Sequence, residues 1–236
     1  MDHPFYCDDT GPRFPTLRPK DAAALILVRR ERGVVRVLMG ERNARHAFLP
    51  GRFVFPGGSI DAADRRLAVA TDFAPAVAAK VASGTGLARA RALGLTAIRE
   101  TFEEAGILVG APGDSQPRTK SPTWQRFFSH GVGPRLEALD FIARAITPPG
   151  RPRRFDARFF MVDADEIAHH SHPSEVSGEL INTAWLTLAE ARASSIIPIT
   201  RCVLAEVEAR IMDGPDPSRP APFYMLRRGK TVIASL

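Results

Sequence analysis

Apolar residues near the start of the chain fall in short runs that are separated by turn-forming residues. The run Ala22 to Arg29 is almost continuously apolar, and after the turn Arg30 to Gly33 a second run covers Val34 to Met39. Such runs are typical of buried strands, and the short turn between them predicts a hairpin. A third strand is predicted from Arg52 to Phe55, ending at Pro56-Gly57-Gly58, a combination that interrupts regular structure.

The rest of the chain mixes helical and strand-like patterns without regular alternation. Helices are predicted within 65–91 (one or two short ones), at 122–130, near 134–139, from about 187 to 193 and at 198–212. Strands are predicted at 141–146, 155–162 and 183–186, and the phenylalanines of the second of these are assigned to the core. This mixture predicts an α/β protein of the α+β type, with a mixed central sheet flanked by helices.

One predicted helix, Leu95 to Ala105, carries its charge in a helical pattern. At about 100° per residue, an apolar stripe of about 80° is formed by Leu95, Ile98, Phe102 and Ala105. The opposite arc, about 100° wide, holds three carboxylates: Glu100, Glu103 and Glu104. Gly106 follows where a residue of positive φ would end the helix. The helix therefore has one face for packing and one acidic face.

The acidic face has two interpretations. Like charges three and four residues apart repel on a helix, and Arg99 offsets only part of that repulsion. The face is either solvated, as charge runs usually are, or it holds a divalent cation such as Mg²⁺, which prefers carboxylate and phosphate oxygens. The helix alone does not decide between the two.

The segment upstream of the helix favours the second interpretation. Pro56-Gly57-Gly58 and the segment from Arg99 to Ile107 together resemble the signature of the Nudix hydrolases, G-x5-E-x7-R-E-U-x-E-E-x-G-U, in which U is a bulky apolar residue. Gly58 matches its leading glycine, whereas Thr101 replaces an aliphatic residue and Asp64 replaces the first glutamate. The arginine expected at 72 is Arg99, so 27 residues are inserted.

The interrupted signature is similar to that of the branch of the family that contains peroxisomal coenzyme A diphosphatases. A partial match to a motif of that branch runs from Leu38 to Gly58. The resemblance covers about residues 20–195 and implies a Nudix-like α/β/α sandwich that is interrupted by a helical insertion at about 65–91. We assign residues 21–236 to this single domain, and the Pro-rich, polar residues 1–20 to an N-terminal arm. The implied reaction is metal-dependent hydrolysis of a nucleoside diphosphate linked to another group, with coenzyme A or an acyl-CoA as the leading substrate.

The resemblance also implies roles for individual residues. Mg²⁺ or Mn²⁺ would be bound by Glu100, Glu103 and Glu104, and one of these could also act as a base. Arg99 would orient a neighbouring glutamate. A backbone carbonyl of Gly57 or Gly58, preferentially Gly58, would add a ligand.

Further candidates lie outside the signature. In the segment 163–182 we favour Glu179 as an additional catalytic acid over Glu166 and Glu175, and we assign the cluster His169, His170 and His172 to a polar loop rather than to metal binding. Substrate phosphates could be bound by arginines, whose guanidinium groups match phosphate geometry. The preferred set is Arg42, Arg52 and Arg154, with Arg45, Arg151 and Arg153 as alternatives and solvated surface as the competing role.

Composition and charge narrow the possible partners and location of the protein, but they do not indicate a mechanism. The net charge of +6 favours anionic partners, but no nucleic-acid recognition motif is present, so nucleic acid is an unlikely partner. Two cysteines, Cys7 and Cys202, do not form a disulfide framework, and no apolar run suits export or membrane insertion. We therefore expect a cytoplasmic protein without a membrane partner, and a homodimer is compatible with the sequence.

The main alternative to a hydrolase is a Nudix-fold protein that binds or senses a metabolite without hydrolysing it.

Overall fold

The computed structural model of the chain describes residues 14–44, 49–69, 71–113, 117–170, 177–216 and 218–236. Within these residues the strands β1 to β12 are Lys20–Glu31, Val34–Arg42, Phe53–Val54, Gly57–Ser59, Ile107–Pro112, Val132–Pro134, Asp140–Ile146, Phe155–Asp163, Ala168–His170, Leu180–Thr187, Pro222–Arg227 and Lys230–Ser235. The helices α1 to α6 are Pro75–Ala82, Leu87–Ala105, Pro122–Ser129, Ala164–Ile167, Leu188–Ala193 and Pro198–Asp213. A short 3₁₀ helix covers Leu136–Ala138, where the sequence predicted a longer helix.

The central sheet is mixed, as predicted. Its strand order is β10-β2-β1-β8-β7-β11-β12, with β3 paired to β2 and β4 paired to β1. The pairs β1/β8 and β7/β11 are parallel, and the other pairs in this sheet are antiparallel. A second, smaller sheet has the order β6-β5-β9. The predicted hairpin of β1 and β2 is therefore at the centre of the fold.

The continuous apolar run of β1 is explained by burial of both its faces. Leu25 and Leu27 pack in the core cluster that contains α1, α2 and α3, whereas Ile26 and Val28 pack in the cluster that contains α6. A strand that is covered on both sides needs apolar residues at successive positions rather than at alternate ones. The α/β/α layering follows from this arrangement.

Strand β3 ends at Val54, before Pro56-Gly57-Gly58, as the sequence predicted, but the segment is not only a turn. Its two glycines begin β4, which pairs antiparallel with β1, so that Gly58 is opposite Ala23. A Cβ atom on Gly57 would lie 2.6 Å from the Ala23 carbonyl oxygen, which is closer than atoms pack. Gly57 is therefore required by the close approach of the β1 backbone, and not by a turn of the chain.

The predicted insertion and the carboxylate helix share one element. Helix α2 starts at Leu87 rather than at Leu95, so the second helix expected within 65–91 continues directly into the acidic segment. Gly106 ends α2 with φ 66°, and its N–H donates to the Phe102 carbonyl at 3.0 Å, as predicted for a left-handed helix terminus.

The apolar face of α2 is fixed by aromatic packing. Phe102 is fully buried and contacts Phe127 of α3 edge to face, with ring centroids 5.6 Å apart. Phe127 in turn contacts Trp124 at 5.2 Å. This cluster sets the rotation of α2 about its axis and therefore the direction of its carboxylates. No helix in the described ranges combines the length and apolar character that crossing a membrane requires.

We expect Phe102→Ala to lower the free energy of unfolding by about 3–5 kcal/mol, because it leaves a cavity in a fully packed core. Urea denaturation followed by circular dichroism measures the change. Met212→Ala, at a side chain that is 80% exposed, is the control and should change stability by less than about 0.5 kcal/mol. Equal losses in the two variants would contradict the role given to the aromatic cluster.

Candidate active site

The acidic side of α2 lies beneath β4 and is not a solvated surface. Glu104 is 1% exposed, although it belongs to the arc that the sequence places opposite the apolar stripe, and the neighbouring Arg99 is 7% exposed. Helix α2 contacts β4, β1 and α3 along this part of its length. The interpretation as a solvated acidic face is therefore wrong, and these charges need partners inside the protein.

Arg99 pairs with most of the acidic side chains at this site. Its Nη1 donates to Glu103 Oε2 at 2.7 Å and lies 2.9 Å from Glu100 Oε1, and its Nη2 donates to the Ser59 carbonyl at 3.0 Å. Burial acts to lower the pKa of Arg99, but the negative charges of Glu100, Asp64 and Glu103 raise it above its ordinary value. The guanidinium therefore remains charged and holds α2 to β4.

Asp64 forms a buried ion pair with Arg99 and is held by several hydrogen bonds. Its side chain is fully buried, and Oδ1 accepts from Arg99 Nε at 3.0 Å and from Trp124 Nε1 at 2.9 Å. Thr96 Oγ1 and the backbone N–H of Asp61 donate to Oδ2 at 2.9 and 3.0 Å. The residue that departs from the expected glutamate thus pairs with the arginine of the same signature.

Glu100 and Glu104 are the two glutamates whose ionised forms are disfavoured by burial. Burial raises the pKa of Glu100 to about 7, although Arg99 acts in the opposite direction. Burial and then the charge of Glu100 raise the pKa of Glu104 to about 8, against the hydrogen bond from the Gly57 N–H to Glu104 Oε2 at 2.8 Å. The other oxygen, Glu104 Oε1, is buried and accepts no hydrogen bond from the described part of the chain.

Glu103 is in a different environment from its two neighbours. Its Oε2 accepts from Arg99, and its Oε1 accepts a short hydrogen bond from Thr123 Oγ1 at the start of α3. Both carboxylate oxygens are therefore satisfied by the protein itself. Thr123 was not anticipated, since no sequence signal connects it to α2.

The two glycines of β4 serve the site in different ways. A Cβ atom on Gly58 would lie 2.3 Å from Glu100 Oε1, so only glycine leaves room for that carboxylate. Successive residues of a strand direct their backbone groups to opposite sides. Because the Gly57 N–H donates to Glu104 and the Ser59 carbonyl accepts from Arg99, Gly57 and not Gly58 directs its backbone groups toward the carboxylates.

A divalent cation fits the chemistry of this group in part. The buried Oε1 of Glu104 and the two carboxylates of raised pKa are oxygen donors that a hard cation would stabilise. Among the side chains that the structure describes, however, no three acidic, histidine or cysteine groups converge as a ready set of metal ligands. Arg99 occupies the space between Glu100 and Glu103 instead.

Glu179, the preferred additional acid, approaches the site through Arg42. It directly precedes β10, is about half exposed, and its Oε2 lies 4.0 Å from Arg42 Nη1. Arg42 Nη2 also donates to the Gly57 carbonyl at 3.4 Å. Besides the larger effect of burial, the charge of Glu179 contributes to the raised pKa values of Glu100 and Glu104. The competing side chains, Glu166 and Glu175 and the three histidines 169, 170 and 172, lie outside the described side chains.

An apolar cavity of about 650 Å³ opens beside the glycines of β4. Gly57 and Gly58 lie at its border, and much of its wall is apolar: Val54, Phe55, Phe155, Ala157, Phe159 and Ile199. Phe159 and Phe160 are in the buried core, as the sequence predicted, although Phe159 also borders the cavity. Phe155, which was assigned to the core as well, is only partly buried and borders the cavity.

The arginines proposed as phosphate ligands separate into two groups. Arg52 and Arg151 border the apolar cavity, and Arg52 Nη1 donates to Ser195 Oγ at 2.9 Å. Arg154 instead donates to the carbonyls of Thr147 and Leu17, at 2.9 and 2.5 Å, so the structure does not bring it to this cavity. Arg153 is exposed, and Arg45 lies outside the described residues.

Comparison with known proteins agrees with this architecture. A NUDIX hydrolase from Alicyclobacillus acidocaldarius superposes with a TM-score of 0.60 over 84% of this chain and 99% of that chain, at 25% identity. The fold is that of the Nudix hydrolases. A NUDIX hydrolase from Nitrosomonas europaea is more distant, with 12% identity and a TM-score of 0.46 over 81% of this chain and 90% of that chain.

Sequence comparison points to the same proteins. The chicken acyl-coenzyme A diphosphatase NUDT19 is 29% identical in an alignment of length 215 that covers 66% of this chain and 54% of that protein. The chain therefore spans about half the length of this relative. No protein-family model matches the sequence. The predicted resemblance to Nudix hydrolases related to coenzyme A diphosphatases and the predicted α+β fold are confirmed.

We expect Asp64→Asn to lower the free energy of unfolding by about 3 kcal/mol, because it leaves the buried charge of Arg99 partly uncompensated. The expected loss of stability is at the lower end of the range for a broken buried ion pair, because Glu100 and Glu103 still pair with Arg99. Asp213→Asn removes the partner of Arg219 at an exposed position and should cost less than about 1 kcal/mol. Chemical denaturation compares the two, and similar losses would show that Asp64 is not an anchor.

The raised pKa of Glu104 predicts a specific pH dependence. A carboxyl whose pKa rises from 4.5 to about 8 on folding destabilises the folded protein once it ionises, so the penalty is absent below pH 4.5 and is complete above pH 8. Without metal, the melting temperature of Glu104→Gln should increasingly exceed that of the wild type between pH 5 and pH 8. Thermal denaturation in EDTA measures this difference.

Glu208→Gln is the control for that series. The hydrogen bond from Arg192 lowers the pKa of Glu208, so its stabilising contribution is already complete above pH 4.5 and is lost only at more acidic pH. Its difference from the wild type should therefore stay constant between pH 5 and pH 8. A constant difference for Glu104→Gln as well would contradict the buried environment described for Glu104.

Proposed function

We propose that the chain hydrolyses the diphosphate linkage of a nucleoside diphosphate derivative with the help of Mg²⁺ or Mn²⁺. The proposal rests mainly on Glu104, which is buried, and on Glu100, which is partly buried; both adjoin the β4 backbone, and Glu104 Oε1 accepts no hydrogen bond from the residues that the structure describes. Two desolvated carboxylates of raised pKa are costly to keep, and structural packing alone does not require them. Such pairs are typical of functional sites.

The cation would be held by Glu100 and Glu104, with the Gly57 carbonyl on the same side of β4 and Glu103 within the same turn of α2. Preference for Gly57 over Gly58 follows from the direction of the strand's backbone groups. When bound, such an ion offsets charge on phosphate oxygens and lowers the pKa of an attacking water. Its positive charge would also stabilise the ionised forms of both glutamates.

The protein's own side chains would divide the remaining tasks. Arg99 positions Glu100 and Glu103 and does not need to touch the substrate. Glu179 is about half exposed, lies beside Arg42, and is the side chain that we assign as proton acceptor from water. Arg42 links this acid to the Gly57 carbonyl and so fixes it relative to the carboxylate pair.

The apolar cavity supports a substrate with a sizeable uncharged part. Its volume of about 650 Å³ suits a small molecule, and Arg52 and Arg151 at its border provide charge for phosphate oxygens. Coenzyme A and its acyl esters combine these features, and the similarity to the chicken acyl-coenzyme A diphosphatase supports the same choice. We therefore propose coenzyme A or an acyl-CoA as substrate.

The activity is tested by incubating the purified chain with coenzyme A, acetyl-CoA, ADP-ribose, NADH and diadenosine polyphosphates. The expected result is release of a nucleoside monophosphate or phosphorylated product with Mg²⁺ or Mn²⁺ and none in EDTA, as identified by mass spectrometry. Saturable metabolite binding without hydrolysis in either metal would instead favour a binding or regulatory protein.

We expect Glu104→Gln and Glu103→Gln to lower kcat by more than about 100-fold, which exceeds the loss typical of groups that only support a metal ligand. Glu208→Gln is the matched control and should retain wild-type turnover. Mn²⁺ binding, followed by electron paramagnetic resonance, provides a reading that is independent of turnover. Wild-type turnover and Mn²⁺ affinity in both variants would remove these glutamates from the mechanism.

A further inference from the structure

A second cavity, about 670 Å³ in volume, lies on another side of the carboxylate group. Its walls come from the segment around Asp61 to Leu67, which leads into the insertion, and from Arg118 to Thr123, which leads into α3. Arg99 and Glu103 of α2 border it. Two segments that are far apart in sequence thus form one pocket against the helix of the candidate active site.

The side chains that border this cavity carry more positive than negative charge. Four cationic and two acidic side chains border it, and Arg99 and Glu103 pair with each other. This leaves Arg66, Arg118 and Lys120 against Asp61, whose Oδ1 accepts from the Ala63 N–H. Within the described part of the chain these three cations form no side-chain hydrogen bond or ion pair. A protein surface that collects three unmatched cations around one concavity favours an anion.

The remaining lining specifies the kind of anion. Hydroxyl groups of Thr119, Ser121 and Thr123 border the cavity, and none of the described lining residues is aromatic. Thr123 Oγ1 donates to Glu103, and Thr119 Oγ1 and Ser121 Oγ accept backbone N–H groups. This lining offers no stacking surface for a base, but it offers donors of the type that bind phosphate oxygens.

The cavity is separated from the place where the diphosphate would be cleaved. Both carboxylate oxygens of Glu103 are bonded within the protein, and Arg99 lies between Glu103 and Glu100. Glu100 and Glu104, which adjoin β4, do not border the cavity. An anion bound here is therefore distinct from the diphosphate at Glu100 and Glu104.

We propose that this cavity binds a phosphate monoester that the substrate carries outside the cleaved diphosphate. The inference rests on the proposed function for the identity of the ligand, and it assigns to the start of the insertion, through Arg66, a part in substrate selection. Arg118 and Lys120 contribute from the opposite wall.

Binding tests the proposal without requiring catalysis. Isothermal titration calorimetry in EDTA compares adenosine 3′,5′-bisphosphate with AMP, which differ by one phosphate monoester. The wild type should bind the bisphosphate at least about 10-fold more tightly, and R66Q/R118Q/K120Q should lose that preference. The control R30Q/R126Q/R227Q removes the same charge from exposed arginines that border neither cavity and should keep it.

Turnover provides the second reading. For coenzyme A the triple variant R66Q/R118Q/K120Q should raise KM at least about 10-fold with little change in kcat, whereas for 3′-dephospho-coenzyme A both constants should stay within about 2-fold. Equal effects on the two compounds, or no preference for the bisphosphate in the wild type, would overturn the proposal. Absence of hydrolysis with retained preference for the bisphosphate would count against the proposed reaction and still support this phosphate site.

Discussion

The site depends on one buried guanidinium. Arg99 connects β4 through the Ser59 carbonyl, the segment before the insertion through Asp64, and the next turn of its own helix through Glu103. Asp64 extends the connection to α3 through the indole of Trp124. Burying a guanidinium is costly unless its donors are paired, and here carboxylates and a carbonyl from separate elements supply the partners. Removing any one of them would weaken the attachment of several elements at once.

This arrangement gives three neighbouring glutamates different properties. Glu103 pairs with the charge of Arg99 and accepts a hydrogen bond from Thr123. Glu104 accepts a hydrogen bond from the Gly57 N–H, and its Oε1 accepts none from the described part of the chain. Glu100 lies between these extremes, attracted by Arg99 but desolvated against Gly58. The surroundings therefore turn a uniform acidic pattern into one satisfied carboxylate and two that a cation would stabilise. Position in the helix alone does not create that distinction.

Much of the fold follows from local patterns in the sequence. The hairpin of β1 and β2, the helix that carries the carboxylates and its glycine terminus were predicted, because apolar runs and 3.6-residue spacing depend only on nearby residues. Features that depend on distant parts of the chain were not predicted, among them the small sheet of β5, β6 and β9. The β4 strand depends on close approach to β1, and the terminal hairpin of β11 and β12 depends on its pairing with β7.

The candidate site, too, could be predicted from the sequence only where it depends on nearby residues. The signature spacing located Arg99 and its glutamates, and it pointed to Asp64 as a substituted position. Two further partners, Trp124 for Asp64 and Thr123 for Glu103, were not predicted because they belong to α3, an ordinary amphipathic helix. The choice between the Gly57 and Gly58 carbonyls required the register of a strand that the sequence had assigned to a turn.

The continuity of α2 has a mechanical consequence. Its 19 residues span about 28 Å, and a single rod runs from the inserted part of the chain to the acidic turn. One residue added within that rod would rotate everything upstream by about 100° relative to the glutamates, whereas residues added in the loop before α1 would leave the phase intact. Changes in chain length are therefore better accommodated in that loop, and the helix itself is constrained to a fixed number of residues.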